Sequence, residues 1–173
     1  MSVPRIKNLT KLFMKCNNII TKVKYNDPSN YNLNIISHYM KNYYINNEND
    51  WYEYVSMTKT GYKDVELYMD DFTGISMSLI TWCPNSFTNI HSHVCLGGIF
   101  MPLVGNINQK IYHNLNLNNV FTKEKNIMGY CENMIIKEGE TYSYDYMLNG
   151  HSLSNNGNFN VCSLHIYDNN LII

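Results

Sequence analysis

Three histidines form the strongest chemical pattern in this chain of 173 residues. His91 and His93 are separated by one residue, and on a β-strand residues i and i+2 point to the same face. Both imidazoles can then enter one interior and share an ion. Most such pairs are surface histidines, so the pair alone is weak evidence for a metal site. His151 follows a later Asn-Gly turn and offers a third imidazole from a distant strand.

The residues near the pair exclude one common type of metal site. No acidic residue lies close enough in sequence to complete a site of two histidines and one carboxylate. The nearest downstream acids, Glu124 and Glu132, fall in a predicted loop. Three neutral imidazoles leave iron(II) or zinc with its full positive charge, and such an ion attracts an anionic ligand such as a thiolate.

A second pattern places Ser163, His165 and Tyr167 on one face of a predicted strand, with Leu164 and Ile166 on the other. If the polar face looks inward, it forms a row of hydrogen-bonding groups beside the metal. The alternative is an outward polar face, which is how most alternating strands are built. The spacing alone favours the outward arrangement.

The elements that would position these groups change in period near residue 60. Before it, apolar residues recur at helical spacing, most clearly at Leu33, Ile36, Tyr39, Met40 and Tyr43. A turn at residues 26–29 separates two predicted helices, and a third short helix is predicted from Asp50 to Met57.

After residue 60 the period becomes two, which predicts strands. They are expected around residues 75–81, 96–104, 108–113, 140–147 and 160–167. Short strands joined by Gly and Asn turns favour a barrel or a double-sheet jelly roll, and a separate helical block disfavours a parallel α/β sheet. We expect one domain over residues 1–173, with a helical cap over 1–58 and a β-barrel over 59–173.

Bulk properties exclude several partners. The net charge is −1, which gives no electrostatic reason to bind nucleic acid or an anionic membrane. No window approaches the ~18 apolar residues of a membrane span. The five cysteines include no CxxC pair, and the N-terminus lacks the apolar core of a signal peptide. We therefore expect a cytoplasmic monomer with free thiols.

Two regions of the sequence resemble a known family. The segment WCPNSFTNIHSHVCLGGIFMPLVG, residues 82–105, resembles the metal-binding strand pair of cysteine dioxygenase, a thiol dioxygenase of the cupin superfamily. The later segments NGHSLSN and VCSLHIY resemble the family's third-histidine and Ser-His-Tyr segments. The resemblance covers roughly residues 60–168, and it implies a mainly β, cupin-type barrel with a helical N-terminal cap.

The resemblance also implies a reaction. Iron(II) would be held by the three histidines, and Tyr167 would lie near the open coordination positions, oriented by His165, which Ser163 hydrogen-bonds. A small thiol, with L-cysteine as the leading candidate, would receive both atoms of dioxygen and become a sulfinic acid. In family members that carry a cysteine crosslinked to this tyrosine, the cysteine lies where this chain has Gly98, so we predict an uncrosslinked Tyr167.

One departure from the family leaves the substrate open. Cysteine-specific members bind the substrate carboxylate through an arginine in a Tyr-x-Arg segment, whereas the corresponding stretch here is Gly61-Tyr62-Lys63-Asp64-Val65. Arg5 is the only arginine in the chain. Tyr62 and Lys63 are the candidate substrate-binding residues, although a lysine lacks the bidentate fork of arginine. Cysteamine or the N-terminal cysteine of a peptide are alternative substrates, and a non-catalytic cupin-like binding module is the alternative function.

Overall fold

The computed structural model describes residues 6–26, 33–47, 49–91, 97–112, 131–145 and 150–168. The helices come first in the chain and the strands follow. The helices are α1 (Leu9–Asn26), α2 (Leu33–Asn46) and a short 3₁₀ helix (Asp50–Tyr54). The strands are β1 (Tyr62–Asp70), β2 (Ile75–Trp82), β3 (Gly97–Val104), β4 (Ile107–Tyr112), β5 (Cys131–Ile136), β6 (Tyr142–Asp145), β7 (Gly150–Ser154) and β8 (Val161–Asp168). Within these ranges, no helix has the length and apolar character to cross a membrane.

The strands form two antiparallel sheets. One has five strands in the order β1-β2-β8-β3-β6, and the other has three in the order β5-β4-β7. Over the described ranges this gives eight strands in two sheets, the double-sheet jelly-roll architecture to which cupins belong. The predicted fold class, a mainly β double-stranded jelly roll with a helical N-terminal segment, is confirmed.

The five-stranded sheet separates two apolar cores. Its outer face packs against the helices, with Leu79 and Leu164 buried against Leu12 and Met40. Its inner face meets the three-stranded sheet in a smaller cluster that includes Trp82. Because side chains alternate along a strand, every central strand contributes one set of residues to each core.

The helices are held to one another by side-chain to backbone hydrogen bonds. Asn8 Oδ1 accepts from the Lys11 backbone N–H over 2.9 Å, the arrangement of a helix N-cap at the start of α1. Asp50 accepts from the Leu9 backbone N–H (2.7 Å) and from the Tyr43 hydroxyl (2.6 Å). Asp50 therefore joins the beginning of α1 to the end of α2.

Several elements differ from the sequence prediction. The third helix is a 3₁₀ helix that ends at Tyr54 rather than Met57. Glu124 and Glu132 were both expected in a loop. Glu132 lies in strand β5, so its prediction was wrong, and Glu124 lies outside the described residues. Strand β1 was not among the predicted strands. A bulge between Glu66 and Tyr68 shifts its register and interrupts the period of two.

Candidate metal and thiol site

Two of the predicted metal ligands are joined by their main chains. His91 lies in the segment that pairs with the edge strand β7, where it forms an antiparallel bridge with His151. The His91 N–H donates to the His151 carbonyl over 3.0 Å, and the His151 N–H donates to the His91 carbonyl over 2.8 Å. Their ring centres are 4.6 Å apart. The backbone thus brings together two imidazoles that are far apart in sequence.

The surroundings of each imidazole engage its Nδ1 atom. His91 Nδ1 lies 2.8 Å from the Asn89 carbonyl oxygen, which can only accept, so this nitrogen carries a proton. His151 Nδ1 lies 3.3 Å from the Gln109 side-chain amide, and both residues are buried. In a neutral imidazole whose Nδ1 is protonated, the Nε2 lone pair is left to bind a metal.

The orientation of the Gln109 amide indicates whether His151 Nε2 is free to bind a metal. With Nε2 of the amide facing His151, the buried Oε1 atom has no hydrogen-bond partner among the described residues. Rotating the side-chain amide by 180° makes Oε1 the acceptor of a His151 Nδ1–H. The oxygen and nitrogen of an amide are assigned from hydrogen-bond networks of this kind. That arrangement leaves His151 Nε2 unprotonated, as a metal ligand must be.

The donor set is compatible with one shared ion. Metal–imidazole bonds are about 2.1 Å long, so two rings in such close contact can bind the same ion. The third predicted ligand, His93, lies outside the described residues. In the part of the chain that the structure describes, no group of three or more His, Cys, Asp or Glu residues is close enough to hold a metal.

A continuous row of hydrogen bonds runs along the inner face of β8. Trp82 Nε1 donates to Ser163 Oγ over 2.8 Å, Ser163 Oγ lies 2.8 Å from His165 Nε2, and His165 Nδ1 lies 2.9 Å from the Tyr167 hydroxyl. His165 is stacked on Phe100, with ring centres 5.2 Å apart. The polar face of β8 therefore looks inward, against the arrangement that the spacing alone favoured.

The chemistry of the partners fixes the direction of each bond. An indole N–H can only donate, so Ser163 accepts from Trp82. Ser163 is fully buried, and its remaining side-chain partner in the described part of the chain is His165 Nε2, to which its hydroxyl therefore donates. A neutral His165 then donates from Nδ1 to the Tyr167 oxygen. Tyr167 must direct its own proton to an acceptor other than His165.

These groups meet at one cavity of about 390 Å³. Its walls come from both sheets and from the segment that carries His91. The lining residues are Tyr62, Asp64, Ile80, Trp82, Thr88, Asn89, His91, Tyr144, His151, Leu153, His165 and Tyr167. The two described metal-ligand candidates, the tyrosine at the end of the row and one of the two substrate-binding candidates therefore share a single space.

Strand β1 contributes the acidic side chain of Asp64 to the cavity, and not the basic side chain of Lys63. Tyr62 lines it, with its ring 5.1 Å from that of Trp82, and so does Asp64 two residues later. The structure does not bring Lys63 to the cavity, because side chains alternate along the strand and Lys63 lies on the opposite face. In the resemblance to the Tyr-x-Arg segment, Asp64 stands where the arginine would be expected.

Gly98 is needed for close packing beside the site. It pairs with Tyr167 of β8 on one side and with Tyr144 of β6 on the other. A Cβ atom at Gly98 would lie 2.6 Å from the Tyr144 ring, and that ring packs edge-on against His151 with centres 5.0 Å apart. A side chain at this position would displace the Tyr144 ring, which contacts the candidate metal ligand His151.

Three residues at the site were not identified as functional from the sequence. Trp82 is fully buried, and burial alone does not reveal that its N–H donates to Ser163. Gln109 shares a strand face with the apolar Ile107 and Ile111, so a buried polar residue was detectable by its place in that pattern. No sequence pattern singles out Tyr144, and only its contact with His151 reveals its place at the site.

Comparisons with known proteins support the fold and give no information about the chemistry. No protein-family model matches the chain, and no curated protein matches its sequence. The structure of the protein TT1209 from Thermus thermophilus aligns with a TM-score of 0.53 at 10% identity, covering 69% of this chain and 93% of that one. At this identity the likeness concerns the fold alone.

Two further structures align with slightly lower TM-scores. A cupin-superfamily protein from Desulfitobacterium hafniense DCB-2 aligns with a TM-score of 0.49 at 8% identity, over 68% of this chain and 86% of that one. Oxalate oxidase bound to the substrate analogue glycolate aligns with a TM-score of 0.49 at 19% identity, over 64% of this chain. This chain spans 52% of the oxalate oxidase chain, and nothing about its own chemistry follows from these two matches.

Proposed function

We propose that this protein is a non-haem iron(II) thiol dioxygenase that oxidises a small thiol to its sulfinic acid. One observation carries the proposal: two histidines with engaged Nδ1 atoms and a tyrosine hydrogen-bonded to His165 line the same cavity. Metal binding and a hydrogen-bond donor for reduced oxygen are separate requirements of this chemistry. Core packing gives no reason for both to occur at one wall.

His91, His93 and His151 are the residues proposed to hold the ion. Their neutral nitrogens suit iron(II), and a set without a carboxylate leaves the ion with the charge that attracts a thiolate. When bound, iron(II) supplies the coordination positions that bring thiolate and dioxygen together and the means to pass electrons between them.

The overall reaction converts R–SH and O₂ into R–SO₂⁻ and a proton. The S–H and O–O bonds break and two S–O bonds form, so sulfur is oxidised while both oxygen atoms are reduced. The electrons balance within the two substrates, and no external reductant takes part. The product lies at the sulfinic step of the thiol oxidation ladder.

The chain's own residues have separate roles in this proposal. Tyr167 donates a hydrogen bond to negative charge that develops on oxygen, since a preorganised donor stabilises that charge without reorganisation. His165 holds the phenol oxygen, and Ser163 fixes the tautomer of His165. Ile80 and Leu153 give the cavity apolar surface, which limits the water around the reacting groups.

The test uses the full chain loaded anaerobically with iron(II). Oxygen uptake and sulfinate formation are recorded with L-cysteine, cysteamine, 3-mercaptopropionate and a peptide that begins with cysteine. We expect matched uptake and sulfinate formation with at least one thiol. Bound iron without turnover of any of them would reject the enzyme and leave a binding module.

Tyr167→Phe makes the test specific to the site. The variant should retain iron and lose most of the rate, since it keeps the ring and removes the donor. Tyr112→Phe is the control, because Tyr112 lies on β4 and does not line the cavity. An unchanged rate in Tyr167→Phe would reject its assigned role.

A further inference from the structure

We infer that the cavity takes an aminothiol, a thiol with a positively charged amine and no carboxylate, and that Asp64 binds the amine. The inference rests on the proposed function for the position of the sulfur, which the histidines would fix. It adds the identity of the group at the other end of the substrate. That identity follows from the charges that the cavity walls present.

Asp64 is placed where a bound molecule can reach it. It lies on β1, the edge strand of the five-stranded sheet, opposite Ile80 in the ladder. Its side chain shares a strand face with Tyr62, and both line the cavity that contains His91 and His151. The residue is exposed rather than enclosed in the core. Asp64 therefore forms part of the open wall of the cavity.

The charges around the cavity oppose a carboxylate. Asp64 is the carboxylate among its described lining residues, and those lining residues include no lysine or arginine. Lys63 lies on the other face of β1. A substrate carboxylate near Asp64 would meet a like charge that Lys63, on the opposite strand face, offsets only in part, whereas an ammonium group would meet an opposite charge.

Asp64 also retains capacity for a charged donor. Desolvation of the Asp64 carboxylate is the largest effect and raises its pKa above the ordinary value. A hydrogen bond from the Ser78 hydroxyl and the positive charge of Lys63 act in the opposite direction but do not cancel it, so the charged form is incompletely stabilised in the protein. An ammonium supplies up to three donors and a positive charge, and charge-assisted bonds of this kind are the strong ones.

Two sources share this chemistry: a small aminothiol such as cysteamine, and the N-terminal cysteine of a peptide, whose amine and thiol have the same spacing. The cavity volume of about 390 Å³ accommodates the small molecule, to which we commit. A cysteine-starting peptide amide is included as a separate arm, and its turnover relative to cysteamine identifies the source of the amine.

The experiment compares thiols that differ in charge on the iron-loaded full chain. We measure kcat/KM for cysteamine, N-acetylcysteamine, L-cysteine, 3-mercaptopropionate and the peptide amide. Loss of a charged hydrogen bond corresponds to about 10- to 100-fold. We therefore expect cysteamine to exceed the neutral N-acetylcysteamine and the anionic 3-mercaptopropionate by at least about tenfold.

Variants of Asp64 assign the effect to its charge. Asp64→Asn should raise KM for cysteamine by about tenfold or more and leave N-acetylcysteamine nearly unchanged. Asp64→Arg should reverse the preference towards 3-mercaptopropionate. Glu66→Gln is the matched control, because Glu66 is an acid on the same strand that does not line the cavity. An equal effect of Asp64→Asn on all thiols would overturn the inference.

Anaerobic calorimetry separates this inference from the proposed function. Without oxygen, iron-loaded protein should bind cysteamine more tightly than 3-mercaptopropionate, and Asp64→Asn should remove the difference. If no thiol is oxidised in air but this binding preference persists, the enzyme proposal fails and the aminothiol site stands. If thiols are oxidised but those with a carboxylate bind and react better, the aminothiol inference fails alone.

Discussion

At the scale of single residues, the Trp82 indole contributes both packing and polarity. It is fully buried in the inner core, and its N–H sets Ser163 as an acceptor on that side. The directions of the later bonds follow from this donor together with the burial of Ser163, whose remaining described side-chain partner is His165. A residue that would be classified as core by its burial therefore determines which group Tyr167 can hydrogen-bond.

Trp82→Phe tests this role. It keeps an aromatic ring but removes the donor, so the Ser163 hydroxyl and the His165 tautomer are no longer fixed. We expect unchanged iron content, a several-fold lower kcat with little change in KM, and a loss of about 1–3 kcal/mol in the free energy of unfolding. Steady-state kinetics and denaturant unfolding measure these effects.

The control is Trp51→Phe. Trp51 is a buried tryptophan in the outer core among the helices, away from the cavity. It should lose stability but retain kcat, since it removes an indole without touching the row. Equal losses of kcat in both variants would show that Trp82 acts only through stability.

Gln109 is the residue expected to orient His151. Gln109→Leu removes its hydrogen bond to Nδ1, whereas Gln109→Glu keeps an oxygen acceptor there. Partners of metal-ligating histidines are worth about 10- to 100-fold in metal affinity. We expect that loss of iron(II) affinity in Gln109→Leu and recovery in Gln109→Glu, measured by competition with a chelator. Equal affinity in all three proteins would contradict the orienting role.

At the scale of elements, the turn between β1 and β2 ties the sheet to α1. Asp70 accepts from the Phe72 and Thr73 backbone N–H groups, each over 3.0 Å, and from the Asn17 side chain over 2.6 Å. These bonds stabilise the carboxylate, and they lower the pKa of Asp70, chiefly through the Thr73 bond. The turn therefore depends on the ionised form of this residue.

The sign of the pH effect follows from the lowered pKa. The stabilisation is present above the ordinary pKa of 3.8 and is lost as the pH falls through the lower pKa of the folded state. We expect Asp70→Asn to lower Tm at pH 7 and to differ less from the unaltered protein in strong acid. Asp71→Asn is the control in the same turn. A difference that grows on acidification would contradict this assignment.

The elements also show what local pattern can and cannot reveal. Alternation along β2 and β8 identified both strands, because each has one face towards apolar helices. It left the orientation of Ser163, His165 and Tyr167 open, since period two is the same whichever face is inside. The inward orientation of these side chains is set by the helices that cover the opposite face of the sheet. This is a tertiary contact, which a short stretch of sequence does not reveal.

At the scale of the whole molecule, the outer core keeps two of the chain's own thiols away from the site. Cys16 and Cys162 are buried between the helices and the five-stranded sheet. Burial raises the pKa of Cys16 and raises that of Cys162 to about 12. Since the thiolate is the reactive form, neither thiol competes as a substrate or readily oxidises in the folded protein.

Alkylation measures this protection. At pH 8, iodoacetamide should modify the half-buried Cys131 long before Cys16 or Cys162, as followed by peptide mass spectrometry. In denaturant all three should react at similar rates. Rapid native modification of Cys16 would mean that the helices leave the sheet far more easily than this packing implies.

The global arrangement explains why the fold was more predictable than the site. Period and composition are enough to place helices before a double-sheet β fold. They do not show that Lys63 faces away from the cavity while Asp64 lines it, because that depends on how β1 joins the sheet. The Gln109 contact with His151 likewise arises only where β4 pairs with β7.

The main-chain bridge between His91 and His151 has a consequence for how the protein would acquire a metal. Two backbone hydrogen bonds hold these residues in register. The pairing joins distant parts of the chain, so it forms only once the surrounding sheet has folded. An ion would then enter a binding geometry that is already partly set, and uptake would be fast and accompanied by little change in secondary structure.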